Sequence, residues 1–152
     1  MTPEEKLSDI GVALPEPPTP LGAYVPVLRS GNLLFLSGLL PVREGRPVMA
    51  GKIGAEIDEK EGAELARVAA VNALSIIKGY LGELGKIKRC VKVTGYVAGA
   101  PGFTGHAAVL NGASEFLVQV FGDSGRHVRA AVGVASLPMD SPLEIEFLFE
   151  VF

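Results

Sequence analysis

The chain has 152 residues, enough for one domain with a substantial core, and 48% of them are hydrophobic. Its 14 Lys and Arg against 17 Asp and Glu give a formal net charge of −3, which argues against broad electrostatic capture of nucleic acid. A lone cysteine, Cys90, excludes an intrachain disulfide, and no apolar run approaches the ~20 residues that span a membrane.

Residues 1–23 contain Pro15, Pro17, Pro18 and Pro20 and read as mostly extended after a short helical turn near Pro3–Ile10. Tyr24–Arg29 and Leu33–Ser37 read as two strands of a hairpin around Ser30-Gly31-Asn32. Glycines and prolines make 41–56 a loop, with a brief strand near Pro47–Met49. Asp58 opens a helix with Glu61 at capping-box spacing. Its apolar stripe is Ala66, Ala69, Ala70, Ala73, Ile77, Tyr80 and Leu81, and Gly82 or Gly85 ends it. Val-rich Ile87–Ala98 reads as a strand. Phe103–Phe121 reads as a second helix, with Ala107, Leu110, Ser114, Leu117 and Phe121 on one face. Strands follow on either side of a turn at Pro138–Pro142. The order predicts an α+β fold, one sheet with both helices on one face. Leu143, Ile145, Phe147, Phe149 and Val151 alternate with Glu144, Glu146, Leu148 and Glu150, and two helices cannot cover both sides of such a sheet. Self-association of the sheet is the simplest expectation.

Arg129 opens an apolar run whose period-two neighbours, Ala131, Gly133 and Ala135, are small. A guanidinium beside small side chains is a fork for a carboxylate. The return strand brings Glu144, so an Arg and a Glu are expected to meet across neighbouring strands. An ion pair at a sheet edge is the plainer reading of the same two residues. Asn111, mid-helix, reads as a hydrogen-bonding support. His106 and His127 lack partners at ligand spacing, so no metal site is expected. Cys90 reads as an inert core residue.

Four blocks in order carry a resemblance. They are Leu21-Gly22-Ala23-Tyr24-Val25; Gly31-Asn32-Leu33-Leu34-Phe35-Leu36-Ser37-Gly38-Leu39-Leu40-Pro41; Val109 through Phe116; and Arg129 through Pro138 with Leu143-Glu144-Ile145-Glu146. Together they resemble the YjgF/Rid family, the reactive intermediate deaminases or endoribonuclease L-PSP family, over residues 21–152, with 1–20 as an N-terminal extension. The longer branch of that family is the nearer likeness. The resemblance implies a chorismate-mutase-like fold and a homotrimer around a central β-barrel, with clefts between subunits. It implies cofactor-free hydrolysis of 2-imino acids or their enamine tautomers to 2-oxo acids and ammonia. Arg129 then falls on the carboxylate-gripping arginine and Glu144 on the water-positioning glutamate. Tyr24, Ser37, Gly38, Leu39, Asn111 and Ala131 fall on pocket positions. Ala131 stands where compact members carry cysteine, and Leu39 where they often carry glutamine, so the pocket is more apolar here. The expected partners are a small 2-imino or 2-oxo acid and further copies of the chain, with neither nucleic acid nor membrane, in the cytoplasm. A carboxylate-binding sensor and a ribonuclease are the rivals; the acidic balance argues against the second.

Overall fold

A computed structural model describes the whole chain, Met1–Phe152. Helix α1 (Pro3–Asp9) starts at a capping box in which Thr2 and Glu5 satisfy each other's backbone N–H groups. It is not a loose end: Leu7 is in the core, and Glu4 Oε1 accepts a 2.7 Å hydrogen bond from Leu84 N. Strands β1 (Val27–Ser30) and β2 (Leu33–Leu36) form the expected hairpin. β1 starts later than Tyr24. The Tyr24 hydroxyl turns back to accept from Leu21 N at 3.1 Å, and Pro26 has no N–H to enter a ladder. β3 (Val42–Arg43) and β4 (Arg46–Pro47) form a separate small hairpin, in which β4 overlaps the expected Pro47–Met49 strand only at Pro47. Its turn places Glu44 at φ 52° and Gly45 at φ 77°, both left-handed.

Helix α2 (Glu59–Leu81) carries the expected Asp58–Glu61 capping box and stops at Gly82, φ 87°. β5 (Ile87–Ala98) spans the expected residues. α3 (His106–Phe121) begins three residues later than expected. Its buried face is Val109, Leu110, Ala113, Phe116, Leu117 and Val120. Ala107 and Ser114, expected on that stripe, are instead exposed and half-buried, on the flank facing β6 (Val128–Val134). On α2, the expected core residue Tyr80 is about half exposed.

β7 (Leu143–Val151) closes a five-stranded sheet of order β1-β2-β7-β5-β6. All pairs are antiparallel except β5–β6, a parallel pair joined by the α3 crossover. This corrects one expectation: β6 and β7 are consecutive in the chain but are not neighbours, because β5 lies between them. Both long helices cover one face, over a core that includes Leu34, Val93, Phe147 and Phe149. Small residues let α3 settle: a methyl at Gly95 would strike Leu110, and one at Gly112 would strike the Ala63 carbonyl of α2. The opposite face of the sheet carries exposed Leu28, Phe35, Val128 and Val132. No helix is long and apolar enough to cross a membrane.

Candidate functional site

Arg129 pairs in register with Val93 and, one strand further, Phe147, so it points to the helix-covered face. The room expected beside it is occupied by α3: Leu110 lies over Gly95, next to Ala131, and His106 lies against Gly133. The guanidinium therefore meets helix backbone and side chains. Nη1 donates to Asn111 Oδ1 at 2.8 Å and to Ser114 Oγ at 3.1 Å, and Nη2 donates to the Ala107 carbonyl at 3.3 Å. No carboxylate is within ion-pair distance, which removes the plainer reading of a sheet-edge salt bridge. Three of five donors are committed, and the remaining N–H groups sit on Nε and Nη2, the two atoms of one edge of the fork. Arg129 is one wall of a hollow of about 410 Å³ that Asn111, Ser114, Glu115, Arg126 and His127 also line.

A further layer holds this arginine. His127 Nδ1 is 2.6 Å from the Gly125 carbonyl, and His127 Nε2 is 2.8 Å from Ser114 Oγ. A carbonyl only accepts, so Nδ1 carries a proton, and in the tautomer with its one proton there Nε2 accepts from the serine. Ser114 thus spends its one proton on His127 and turns a lone pair to Arg129. Asn111 acts as a support, as expected, but for the arginine rather than a loop. Ser114 and His127 were legible only as a helix position and a lone histidine; Ser114 is 15 residues from Arg129 and 13 from His127, which leaves no local motif.

Glu144 lies elsewhere. It pairs with Tyr96 and, beyond it, Val132, on the face opposite to Arg129. Within one chain the two residues are two strands apart and on opposite faces, so the expected meeting across neighbouring strands does not occur. Glu144 instead stands against Gly38, where an added Cβ would be 3.0 Å from its carboxyl carbon. Burial first, and then the charge of Glu146, raises the Glu144 carboxyl above its ordinary pKa. Tyr96 donates to Glu146 Oε1 at 2.6 Å, and that bond raises the phenol in turn.

A sequence profile described as "YjgF/chorismate mutase-like, putative endoribonuclease" covers residues 4–151. The chain belongs to the YjgF family. Protein TCP17 of Trypanosoma cruzi is 39% identical over 146 residues, 95% of this chain and 91% of that protein. A solved structure from Shewanella oneidensis, titled a putative endoribonuclease, is 32% identical with a TM-score of 0.96, covering 99% of this chain and 100% of its own. Escherichia coli TdcF, solved with bound serine, shares the fold at 24% identity and a TM-score of 0.66, over 90% of this chain and 94% of its own.

The other positions that the YjgF likeness singles out gather around Gly38. Tyr24, Ser37, Gly38 and Leu39 line one cavity of about 660 Å³. Their backbone groups are not equally available. Ser37 N donates to Pro26 O and its hydroxyl to Val25 O, while Leu39 N donates to Ile145 O. The N–H of Gly38 is the one of the three without a partner in the chain. Ala131 is on the helix-covered face two residues beyond Arg129 and is half-buried under α3. Cys90 is buried beneath the helices and its thiol is pushed up to about 12, which leaves no thiolate for chemistry. No group of three or more His, Cys, Asp or Glu is arranged to hold a metal ion.

Proposed function

We propose that the chain is a cofactor-independent hydrolase of 2-imino acids and their enamine tautomers, working in clefts formed between copies of the chain in a homotrimer. The observation that carries this reading is Arg129: a guanidinium whose hydrogen-bond partners are all neutral acceptors, with one N–H on Nε and one on Nη2 unpartnered in the chain, at the wall of an open hollow. Such a group is prepared for a carboxylate and has none of its own. The serine bound in TdcF is a small ligand carrying both a carboxylate and an amine, which agrees in kind.

In the reaction, Arg129 fixes the substrate carboxylate and thereby the adjacent C=N carbon. Glu144 accepts a hydrogen bond from water and takes its proton as the oxygen adds to that carbon. Its raised pKa makes it a stronger base than an ordinary carboxylate. The proton passes to nitrogen to give a carbinolamine; its hydroxyl proton then moves to nitrogen by way of the same carboxylate, the C=O forms, the C–N bond breaks with its electron pair leaving on ammonia, and a 2-oxo acid remains. The free Gly38 N–H, beside Glu144, is the backbone donor available to the addition product. The two halves come from different copies: one supplies Arg129 with Asn111, Ser114 and His127, the next Glu144 with Gly38 and Tyr24. The exposed apolar face of the sheet supports association of this kind.

The test generates imino acids in situ with an amino-acid oxidase and follows release of 2-oxo acid and ammonia, with structured and single-stranded RNA as alternative substrates. Acceleration over the buffer rate is expected for imino acids and not for RNA cleavage. Carboxylate binding with no acceleration would replace the enzyme with a binding protein.

A further inference from the structure

The proline-rich segment before Tyr24 has no regular structure, yet it is a wall. Pro15, Pro17, Pro18 and Pro20 line a cavity of about 660 Å³ together with Asn72 and Ile76 of α2 and residues of the β3–β4 hairpin, and Pro17 lies against Gly79 near the end of α2. Its far side is Leu39, Leu40, Val42 and Ile76, with Tyr24 and Gly38 at one end. We propose that this cavity receives the apolar side chain of the substrate, so that the chain prefers 2-imino and 2-oxo acids with branched or aromatic side chains over those of alanine size. The identity of the ligand rests on the function proposed above.

Three observations favour this occupant. The volume falls within the ~300–1,000 Å³ typical of small-molecule sites. Two of the polar side chains in the wall are engaged, Asn72 Nδ2 donating to Val42 O at 3.0 Å and Ser37 Oγ to Val25 O at 2.7 Å, while the charged lining residues Glu16, Arg43 and Glu44 are solvent-exposed, the last two on the β3–β4 hairpin and its turn. The cavity also reaches the reaction end, because Gly38 lines it while standing against the Glu144 carboxyl. A substrate with its C=N carbon at Gly38 has this space for what that carbon bears. Proline fixes φ, so the wall is stiff before any ligand arrives.

Calorimetry with pyruvate, 4-methyl-2-oxopentanoate and phenylpyruvate tests the cavity without requiring turnover. Affinity should rise across the series, by about 10–100-fold from first to last. Val42→Trp, which fills the cavity from the hairpin, should collapse the phenylpyruvate-to-pyruvate ratio towards one. Ile76→Phe, approaching from α2, should do the same if the first variant folds poorly. Equal affinities in the wild type, or a preference that survives both substitutions, overturns the proposal. Graded binding with no imine turnover keeps the cavity and rejects the hydrolase; turnover without grading rejects the cavity alone; no binding of any of the three acids rejects both.

Discussion

The Arg129 corner and the Glu144 end are built on opposite principles. Every hydrogen-bond partner of Arg129 is a neutral acceptor, and the cation is held without an ion pair. Around Glu144 the neighbours are another carboxylate and a buried wall, and the acid is held against its own ionisation. The first arrangement is ready to bind; the second is ready to take a proton. One chain keeps them on opposite faces of a sheet, so neither can quench the other as an ion pair. In the proposed assembly, what separates them within one chain is what leaves both available to a ligand between copies.

The largest effect should come from breaking the cationic half. Arg129→Ala removes two charge-assisted hydrogen bonds to a carboxylate and should weaken 2-oxo acid binding by about 10²–10³-fold. Arg129→Lys keeps the charge but not the fork, and should recover only part of it. The comparison can also be tested by mixing. Chains with Arg129→Ala and chains with Glu144→Ala, each inactive alone, should regain activity after co-refolding. With random assembly about a quarter of the clefts draw an intact residue from each side. No recovery, in a mixture shown to exchange subunits, would place both residues' work within one chain.

Much of this was readable in the residues. The Asp58–Glu61 box and Gly82 bound α2 because caps are local chemistry, and β5 was readable from its run of valines and its neighbours. What failed was strand order. Alternation says which face a residue occupies but not which strand lies beside it. The short turn at Pro138–Pro142 therefore read as joining neighbours. In the fold it carries Met139 and Asp140 in left-handed conformations, φ 60° and 53°, and returns the chain past β5. The Ser114–His127 support was hidden for the same reason, since it exists only once α3 crosses above β6.

The acidic half should respond less in rate but in two directions. Glu144→Gln should slow hydrolysis by roughly 10²-fold, the low end of general-base effects, with carboxylate affinity nearly intact. It should also raise the melting temperature at neutral pH. The folded-state pKa of Glu144 is raised, so ionising it costs the folded chain more than the unfolded one. That cost is present above the folded pKa and vanishes as pH falls below the unfolded value. The stability gap between variant and wild type should therefore narrow on acidification. A gap that widens would mean the carboxylate is stabilised in the fold.

The smallest effect, and the sharpest probe of the cationic half, is in its supports. Ser114→Ala removes the acceptor facing Nη1, and His127→Gln removes the ring acceptor that holds the serine proton. Neither residue reaches the carboxylate in this reading; both orient the fork. Each should raise the Kd for a 2-oxo acid by about 2–10-fold, the range of one net hydrogen bond, with kcat at saturation nearly unchanged. Ser114→Thr keeps the hydroxyl and should restore most of the affinity. The double variant should lose little more than either single one, because both act through the same oxygen. A general packing defect would lower kcat and stability and would not be rescued by threonine. Additive losses would separate the two residues and dissolve the proposed chain from Gly125 O through His127 and Ser114 to Arg129.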